Sequence, residues 1–158
     1  MRWHIPDFPS RRRLTLTLQS DLADSGHACL AMVAGYYGQR VTLSQLRQRP
    51  VIAPSDTTIE TLMSIADHLG FACRPLRLDV TGLGKLKTPC ILHCDVAHYV
   101  VLSRVAFRWV EIFDPASGVL RLSFVEASQR FTGVALELTP AATFRKHDAT
   151  EPVRHVDP

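Results

Sequence analysis

Long apolar runs, strong net charge and abundant cysteine are all missing from this sequence, and each absence narrows the class of protein. No apolar run approaches the roughly 20 residues of a membrane-spanning helix. No apolar stretch follows the first four residues, as it would in a secretory signal. The net charge of +3 is too small to favour nucleic acid as a partner. With four cysteines in 158 residues, we expect free thiols in a cytosolic domain.

Two of the cysteines flank a histidine and raise the question of a metal site. The segment Cys90-Ile-Leu-His93-Cys94 has the composition of a strand, in which alternate side chains point to opposite faces. Cys90 and Cys94 would then share one face and His93 the other, so we do not expect three converging ligands. The sequence therefore predicts neither a metal nor a cofactor in this domain.

The hydrophobic pattern predicts helices in the first half of the chain and strands in the second. A length of 158 residues suits one domain with a full core. The residues that begin and end helices predict them over residues 25–37, 43–48, 59–69 and 123–130. Alternation with period two predicts strands over residues 14–18, 71–78, 89–93, 98–105, 107–113, 119–122 and 133–138. We expect an α+β fold in which N-terminal helices pack on a C-terminal antiparallel sheet.

The stretch from Gln19 to Met32 runs from a polar loop into a helix of small apolar residues. We expect Asp24 to cap this helix with its side chain, which places Ser25 at or next to the first helical position. A group at that position faces unpaired N–H donors and the positive end of the helix dipole. Such a position favours an anion, whether a thiolate or a developing oxyanion.

Two later residues complete a candidate site. His98 lies on an apolar strand, and Asp114 precedes a turn that begins with Pro115. Taken singly, they suggest a buried core histidine and a turn-initiating aspartate. Because they are sixteen residues apart across a predicted hairpin, they can also form a general base and the acid that orients it.

The order of these residues is that of papain-like cysteine peptidases, whose third member is often Asn. In chain order they are an amide at Gln19, a nucleophile position at a helix start, a histidine and an aspartate. The run Ser25-Gly-His-Ala-Cys-Leu-Ala-Met32 more closely resembles the peptidase domain of bacterial peptidase-containing ABC exporters, above all the colicin V type. The resemblance covers about residues 14–139.

This resemblance implies a papain-like fold and a cysteine endopeptidase that removes double-glycine leader peptides from bacteriocin or microcin precursors. It assigns the nucleophile position to Ser25, the base to His98, the orienting acid to Asp114 and an oxyanion-hole donor to Gln19.

The implied partners are the leader peptide and the transmembrane and nucleotide-binding domains of the same exporter. The resemblance thus places the domain at the cytoplasmic face of the bacterial inner membrane. Residues 1–13 would be an N-terminal arm, residues 14–139 the peptidase domain, and residues 140–158 a linker toward a transmembrane region.

Ser25 is the departure from the family motif, which has cysteine at this position. A serine hydroxyl is far less acidic than a thiol, so the thiolate–imidazolium pair would not form, and we expect the chain as written to be nearly inactive. Three explanations stand: an introduced Cys-to-Ser change, a natural degenerate domain that binds and recruits cargo, or a working serine peptidase. Cys29 lies one turn further along the helix and would face the core, which makes it a poor substitute.

Overall fold

The structure is a computed structural model that describes residues 12–48 and 57–145. Its helices are α1 (Ser25–Tyr36), α2 (Leu43–Arg47), α3 (Ile59–Leu69) and α4 (Phe124–Arg130). Its strands are β1 (Phe71–Arg77), β2 (Cys90–Cys94), β3 (His98–Val105), β4 (Trp109–Asp114), β5 (Gly118–Ser123) and β6 (Phe131–Pro140). Single 3₁₀ turns occupy Leu22–Asp24 and Val80–Lys85. In the part described, no helix is both long and apolar enough to cross a membrane.

All six strands form one antiparallel sheet in the order β1-β6-β2-β3-β4-β5. Strands β2 to β5 follow one another as a meander, whereas β6 returns to pair between β1 and β2. The predicted α+β fold, with helices before the sheet, is confirmed.

Both faces of the sheet are covered, which explains why β2 and β3 are apolar almost throughout. On one face lies α1, which buries nine of its twelve residues between β3 and the helices α2 and α3. On the other face α4 and the 3₁₀ turn at Val80–Lys85 cover a second apolar cluster. Alternate side chains of each central strand therefore enter different cores.

The cysteine segment follows this alternation. Cys90 and Cys94 are buried in the second cluster, whereas His93 is partly exposed and bonds to the hydroxyl of Thr132 through Nδ1 at 2.7 Å. The strand geometry predicted for Cys90–Cys94 is thus confirmed. Within residues 12–48 and 57–145, no three His, Cys, Asp or Glu side chains are arranged to hold a metal ion.

The ends of α2, α3 and α4 agree with the residues that predicted them. Thr42 and Ser123 each begin a helix with a reciprocal capping box, and Thr58 caps α3 by accepting a bond from the Thr61 amide. Gly70 ends α3 in the left-handed region, at φ +97°. These interactions act within a few residues of each other, which is why the sequence is sufficient to predict them.

The short strand predicted over residues 14–18 is wrong, because within the described residues they pair with no strand. Leu14 and Leu16 pack against the core and Thr15 between them faces solvent, whereas Leu18 is 58% exposed. A period of two in burial does not require a hydrogen-bonded neighbour.

The packed part of the chain extends past residue 139. Pro140 ends β6, the Ala141 amide donates to the Gly70 carbonyl at 2.8 Å, and the ring of Phe144 lies 4.8 Å from that of Phe71. Residues 50–54, where Pro50 and Pro54 predict a loop, and most of the predicted arm and linker lie outside the described residues. Those domain limits stay predictions.

Two glycine substitutions should change stability in opposite directions. A Cβ at Gly70 would lie 2.5 Å from the Cα of Phe144 at a φ of +97°, so Gly70→Ala should lower the free energy of unfolding by at least about 1–2 kcal/mol. A Cβ at Gly35 would meet nothing within 4 Å inside α1, so Gly35→Ala should raise it by about 0.5–1 kcal/mol. Urea unfolding of both variants tests this, and equal effects would contradict the packing around Gly70.

Candidate active site

Ser25 is the first residue of α1 and is only 1% exposed. Its Oγ accepts a hydrogen bond from the backbone amide of Tyr99 on β3, at 3.1 Å. The position therefore combines the positive end of a twelve-residue helix with a second donor from the sheet. Both features favour a negative atom at this point.

Gly26 allows α3 to approach the start of α1. A Cβ at this position would lie 2.8 Å from Leu62 and 3.1 Å from Thr57. Because Leu62 is fully buried in the main core, a side chain at position 26 would push apart the two helices that hold Ser25. Close packing is a structural reason for glycine after the nucleophile position.

The predicted capping role of Asp24 is wrong. Asp24 belongs to a 3₁₀ turn and has helical backbone angles, so its side chain makes no cap bond; Asp21 caps that turn instead. The Asp24 carboxylate accepts from Arg47 and from Ser20, and these bonds lower its pKa although burial alone would raise it. The start of α1 is thereby tied to α2.

His98 and Asp114 come together at one end of the sheet. Strand β3 begins at His98 and β4 ends at Asp114, and the distance from His98 Nε2 to Asp114 Oδ1 is 2.7 Å. An ionised carboxylate only accepts, so Nε2 carries the proton and Nδ1 is left for another partner. This is the geometry of a base held in one tautomer by an acid.

Asp114 is 1% exposed and nonetheless remains ionised. Burial alone would raise its pKa, but hydrogen bonds from His98, from the Ala116 amide at 2.8 Å and from Arg130 at 3.1 Å together lower the pKa to about 2. The charge that orients His98 is therefore present at every physiological pH.

Arg130 is a member of this cluster that sequence reasoning missed. It is the last residue of α4, and its Nη2 reaches Asp114 Oδ2 and also Asp95 Oδ2, at 3.1 and 3.3 Å. An arginine in the last turn of a helix is common, because it complements the helix dipole. Nothing in the sequence distinguishes it from that ordinary role.

Gln19 is tied to the same end of the sheet through its backbone. Its amide donates to the carbonyl of Pro115, the residue after Asp114, at 2.9 Å. Its side-chain Oε1 is buried and has no hydrogen-bond partner within the described residues. The Gln19 backbone is thus held next to the turn, while its side-chain oxygen is buried without a bond.

The four predicted residues are therefore brought to one region but not all into direct contact. His98 and Asp114 are hydrogen-bonded, Ser25 bonds to the residue after His98, and Gln19 bonds to the residue after Asp114. In the part of the chain that is described, Ser25 and His98 share no hydrogen bond. The catalytic roles assigned to all four stay predictions.

An open groove of about 680 Å³ is lined by Ala97 and Tyr99, the residues on either side of His98. The turn Val96–Ala97 forms one end, and Tyr99 and His93 line it further along. Its remaining walls come from the start of α3, from β1 and from β6: Thr57, Thr58, Ile59, Glu60, Pro75, Leu76, Arg77 and Val134. The groove is mixed in character, with aliphatic walls and one side chain of each charge.

A small-residue helix laid against an antiparallel sheet, with a paired His and Asp on adjacent strands, defines the papain-like class. The sequence profile of the Peptidase C39 family matches residues 13–143. The chain belongs to this family, as the resemblance in the first motif predicted.

Two relatives from Escherichia coli are secretion and processing proteins by name. The colicin V secretion/processing ATP-binding protein CvaB is 40% identical over 139 residues, which is 88% of this chain and 20% of that protein. The probable microcin-H47 secretion/processing ATP-binding protein MchF is 39% identical over 144 residues, 91% of this chain and 20% of that protein. The chain thus spans about a fifth of the length of these relatives.

Two solved structures share the fold. One is a double glycine motif protease from an AMS/PCAT transporter in complex with the leader peptide, with a TM-score of 0.77 and 29% identity over 83% of this chain and 94% of that one. The other is the peptidase domain of Streptococcus ComA, described as a bi-functional ABC transporter, with a TM-score of 0.74 and 29% identity over 81% of this chain and 99% of that one.

The buried charge of Asp114 should make stability depend on pH at the acid end. Its pKa is lowered in the folded chain, so the ionised carboxylate stabilises the fold at pH values above the ordinary pKa near 3.8. This stabilisation is lost as the pH falls toward 2. We expect the stability difference between the parent and Asp114→Asn to shrink by about 2 kcal/mol between pH 5 and pH 2. Urea unfolding at several pH values measures it; a constant difference would contradict the ionised carboxylate.

Proposed function

We propose that this chain is the peptidase domain of a bacteriocin-type ABC exporter, and that its architecture serves to cleave double-glycine leader peptides from precursor peptides. The observation that carries the proposal is the 2.7 Å pair of His98 and Asp114 beside a nucleophile position at a helix start. Membership in the Peptidase C39 family supports it. So does the leader peptide bound by a structural relative.

With a thiol at position 25, the chemistry follows from the positions of these groups. The N-terminus of α1 and the Tyr99 amide stabilise the thiolate, and the free Nδ1 of His98 takes its proton while Asp114 holds the opposite nitrogen. The thiolate attacks the carbonyl carbon of the second glycine, and imidazolium gives the proton to the leaving amine. Water then hydrolyses the resulting thioester and releases the leader peptide. The Gln19 amide would donate to the oxyanion.

Serine at position 25 disables the first of these steps. Its hydroxyl keeps its proton at neutral pH, so no nucleophile–imidazolium ion pair precedes attack. The chain as it stands is on this proposal a nearly inactive form of a cysteine endopeptidase. Its natural setting would be the cytoplasmic face of a bacterial inner membrane, joined to transmembrane and nucleotide-binding domains, with no cofactor of its own.

A second candidate is a non-catalytic domain that binds the precursor and recruits it for export. The observation that favours it is that Ser25 leaves the rest of the site and the open groove intact. Leader recognition through apolar contacts does not depend on the atom at position 25. The two candidates differ in whether a restored thiol produces cleavage.

The substitution Ser25→Cys should restore cleavage directly after the Gly-Gly of a double-glycine precursor, because the residues we assign as base, acid and amide donor, His98, Asp114 and Gln19, are all present. Mass spectrometry of the precursor after incubation gives the cleavage position. His98→Ala in the same variant should abolish cleavage, which serves as the control for adventitious proteolysis. A folded Ser25→Cys protein that binds the precursor and leaves it intact would favour the recruiting domain.

The groove beside His98 is the surface we assign to the leader peptide, so a charge there should weaken leader binding. Val96 lines the groove and is 91% exposed, whereas Val125 on α4 is 67% exposed and does not line it. Val96→Asp should weaken binding of a synthetic leader by about tenfold, since an apolar contact is lost and a charge is desolvated. The matched control Val125→Asp should bind like the parent.

Calorimetry in the uncleaving Ser25 background measures both affinities without product formation. Each substitution replaces an exposed valine with aspartate, so neither disturbs the core. Equal affinities for the two variants would move the leader site away from this groove.

A further inference from the structure

The guanidinium of Arg130 contacts two carboxylates, that of Asp114 and that of Asp95. Nη2 lies 3.1 Å from Asp114 Oδ2 and 3.3 Å from Asp95 Oδ2. The backbone carbonyl of Arg130 also accepts the Asp95 amide at 2.8 Å. One side chain at the end of α4 thus touches the acid that orients His98 and the turn that carries Val96.

The two oxygens of Asp114 have different partners. Oδ1 accepts from His98 and from the Ala116 amide, whereas Oδ2 accepts from Arg130. A carboxylate buried to this degree without a fixed cation would either take up a proton or strongly favour a charged imidazole beside it. Arg130 supplies that cation whatever the protonation state of His98.

We propose that Arg130 is a positioning residue that makes Asp114 a charge-balanced acceptor for His98. Taken together, Asp114 and Arg130 carry no net charge, like the asparagine that often occupies the third position in papain-like peptidases. The second carboxylate on Arg130, that of Asp95, is 48% exposed, so water rather than Arg130 screens most of its charge. The Asp114–Arg130 pair keeps the shorter hydrogen bond of a carboxylate while sparing the nucleophile from an uncompensated negative charge. The proposal rests on the proposed function only in treating His98 as the base.

The contact with Asp95 extends the same role to the groove. Asp95 has a positive φ of 55°, and the turn it begins leads through Val96 and Ala97 into His98. Arg130 bonds to Asp95 through both its side chain and its backbone, so it fixes the short segment from which His98 emerges. Arg130 therefore holds both the acid Asp114 and the turn that lines the groove and leads into the base, His98.

The test measures thiol reactivity and needs no leader peptide. In the Ser25→Cys variant, the rate of alkylation of the new thiol by iodoacetamide is followed against pH, with the modified site identified by mass spectrometry. Burial raises the pKa of the other thiols, to about 11 for Cys73 and about 12 for Cys94, so they react slowly near neutral pH. The midpoint is the pH at which the alkylation rate reaches half its maximum. It reports the titration of the thiol–imidazole pair as a whole.

Substitution of Arg130 and substitution of Asp114 should shift this midpoint in opposite directions. Arg130→Gln removes a positive charge and should raise the midpoint by about half a unit to one unit, whereas Asp114→Asn removes a negative charge and should lower it by a similar amount. The double variant should return to within about 0.3 unit of the parent. Arg121→Gln, which removes an exposed arginine paired with Glu111, is the charge-matched control and should shift nothing.

A purely structural role for Arg130 predicts a different pattern. Both single variants would then disturb the site in the same direction, and the double variant would be displaced at least as far as either; that result overturns the proposal. If Arg130→Gln alone does not fold, the double variant with Asp114→Asn provides the test, because it buries no unpaired charge. A midpoint more than half a unit from that of the parent would contradict charge balance. Either result stands whether or not the Ser25→Cys variant cleaves a precursor.

Discussion

Burial of an ionised carboxylate at the end of β4 is the constraint on which the site depends. Asp114 is almost fully shielded from water, and it keeps its charge because a histidine, a backbone amide and an arginine all donate to it. Removing water from a carboxylate is unfavourable unless such partners are in place, so the partners must be held accurately. Their positions come from β3, from the turn after β4 and from the end of α4.

The rest of the site is connected to this point through neighbouring residues. Pro115, next to Asp114, holds the backbone of Gln19, and Tyr99, next to His98, donates to Ser25. The side chain of Ser25 and the backbone of Gln19 are thus each held by a main-chain group of a residue next to the His98–Asp114 pair.

The surroundings of Ser25 would suit a more acidic side chain than serine. The helix dipole, the Tyr99 amide and the His98–Asp114 pair are all features that stabilise an anion or accept a proton. A thiol would be activated by each of them, whereas a serine hydroxyl stays protonated. The same residues that would support catalysis therefore remain as a folded scaffold beside an open groove.

Local interactions explain what the sequence by itself determined about this protein. The capping boxes at Thr42 and Ser123, the left-handed Gly70, the alternation in β2 and β3 and the nucleophile motif all act within a few residues, and together they predict the fold and the family. Only the tertiary structure brings together Asp24 and Arg47, which are 23 residues apart, and Asp114 and Arg130, which are 16 residues apart. Such pairs depend on how helices are placed against the register of the sheet, and no local pattern carries that placement.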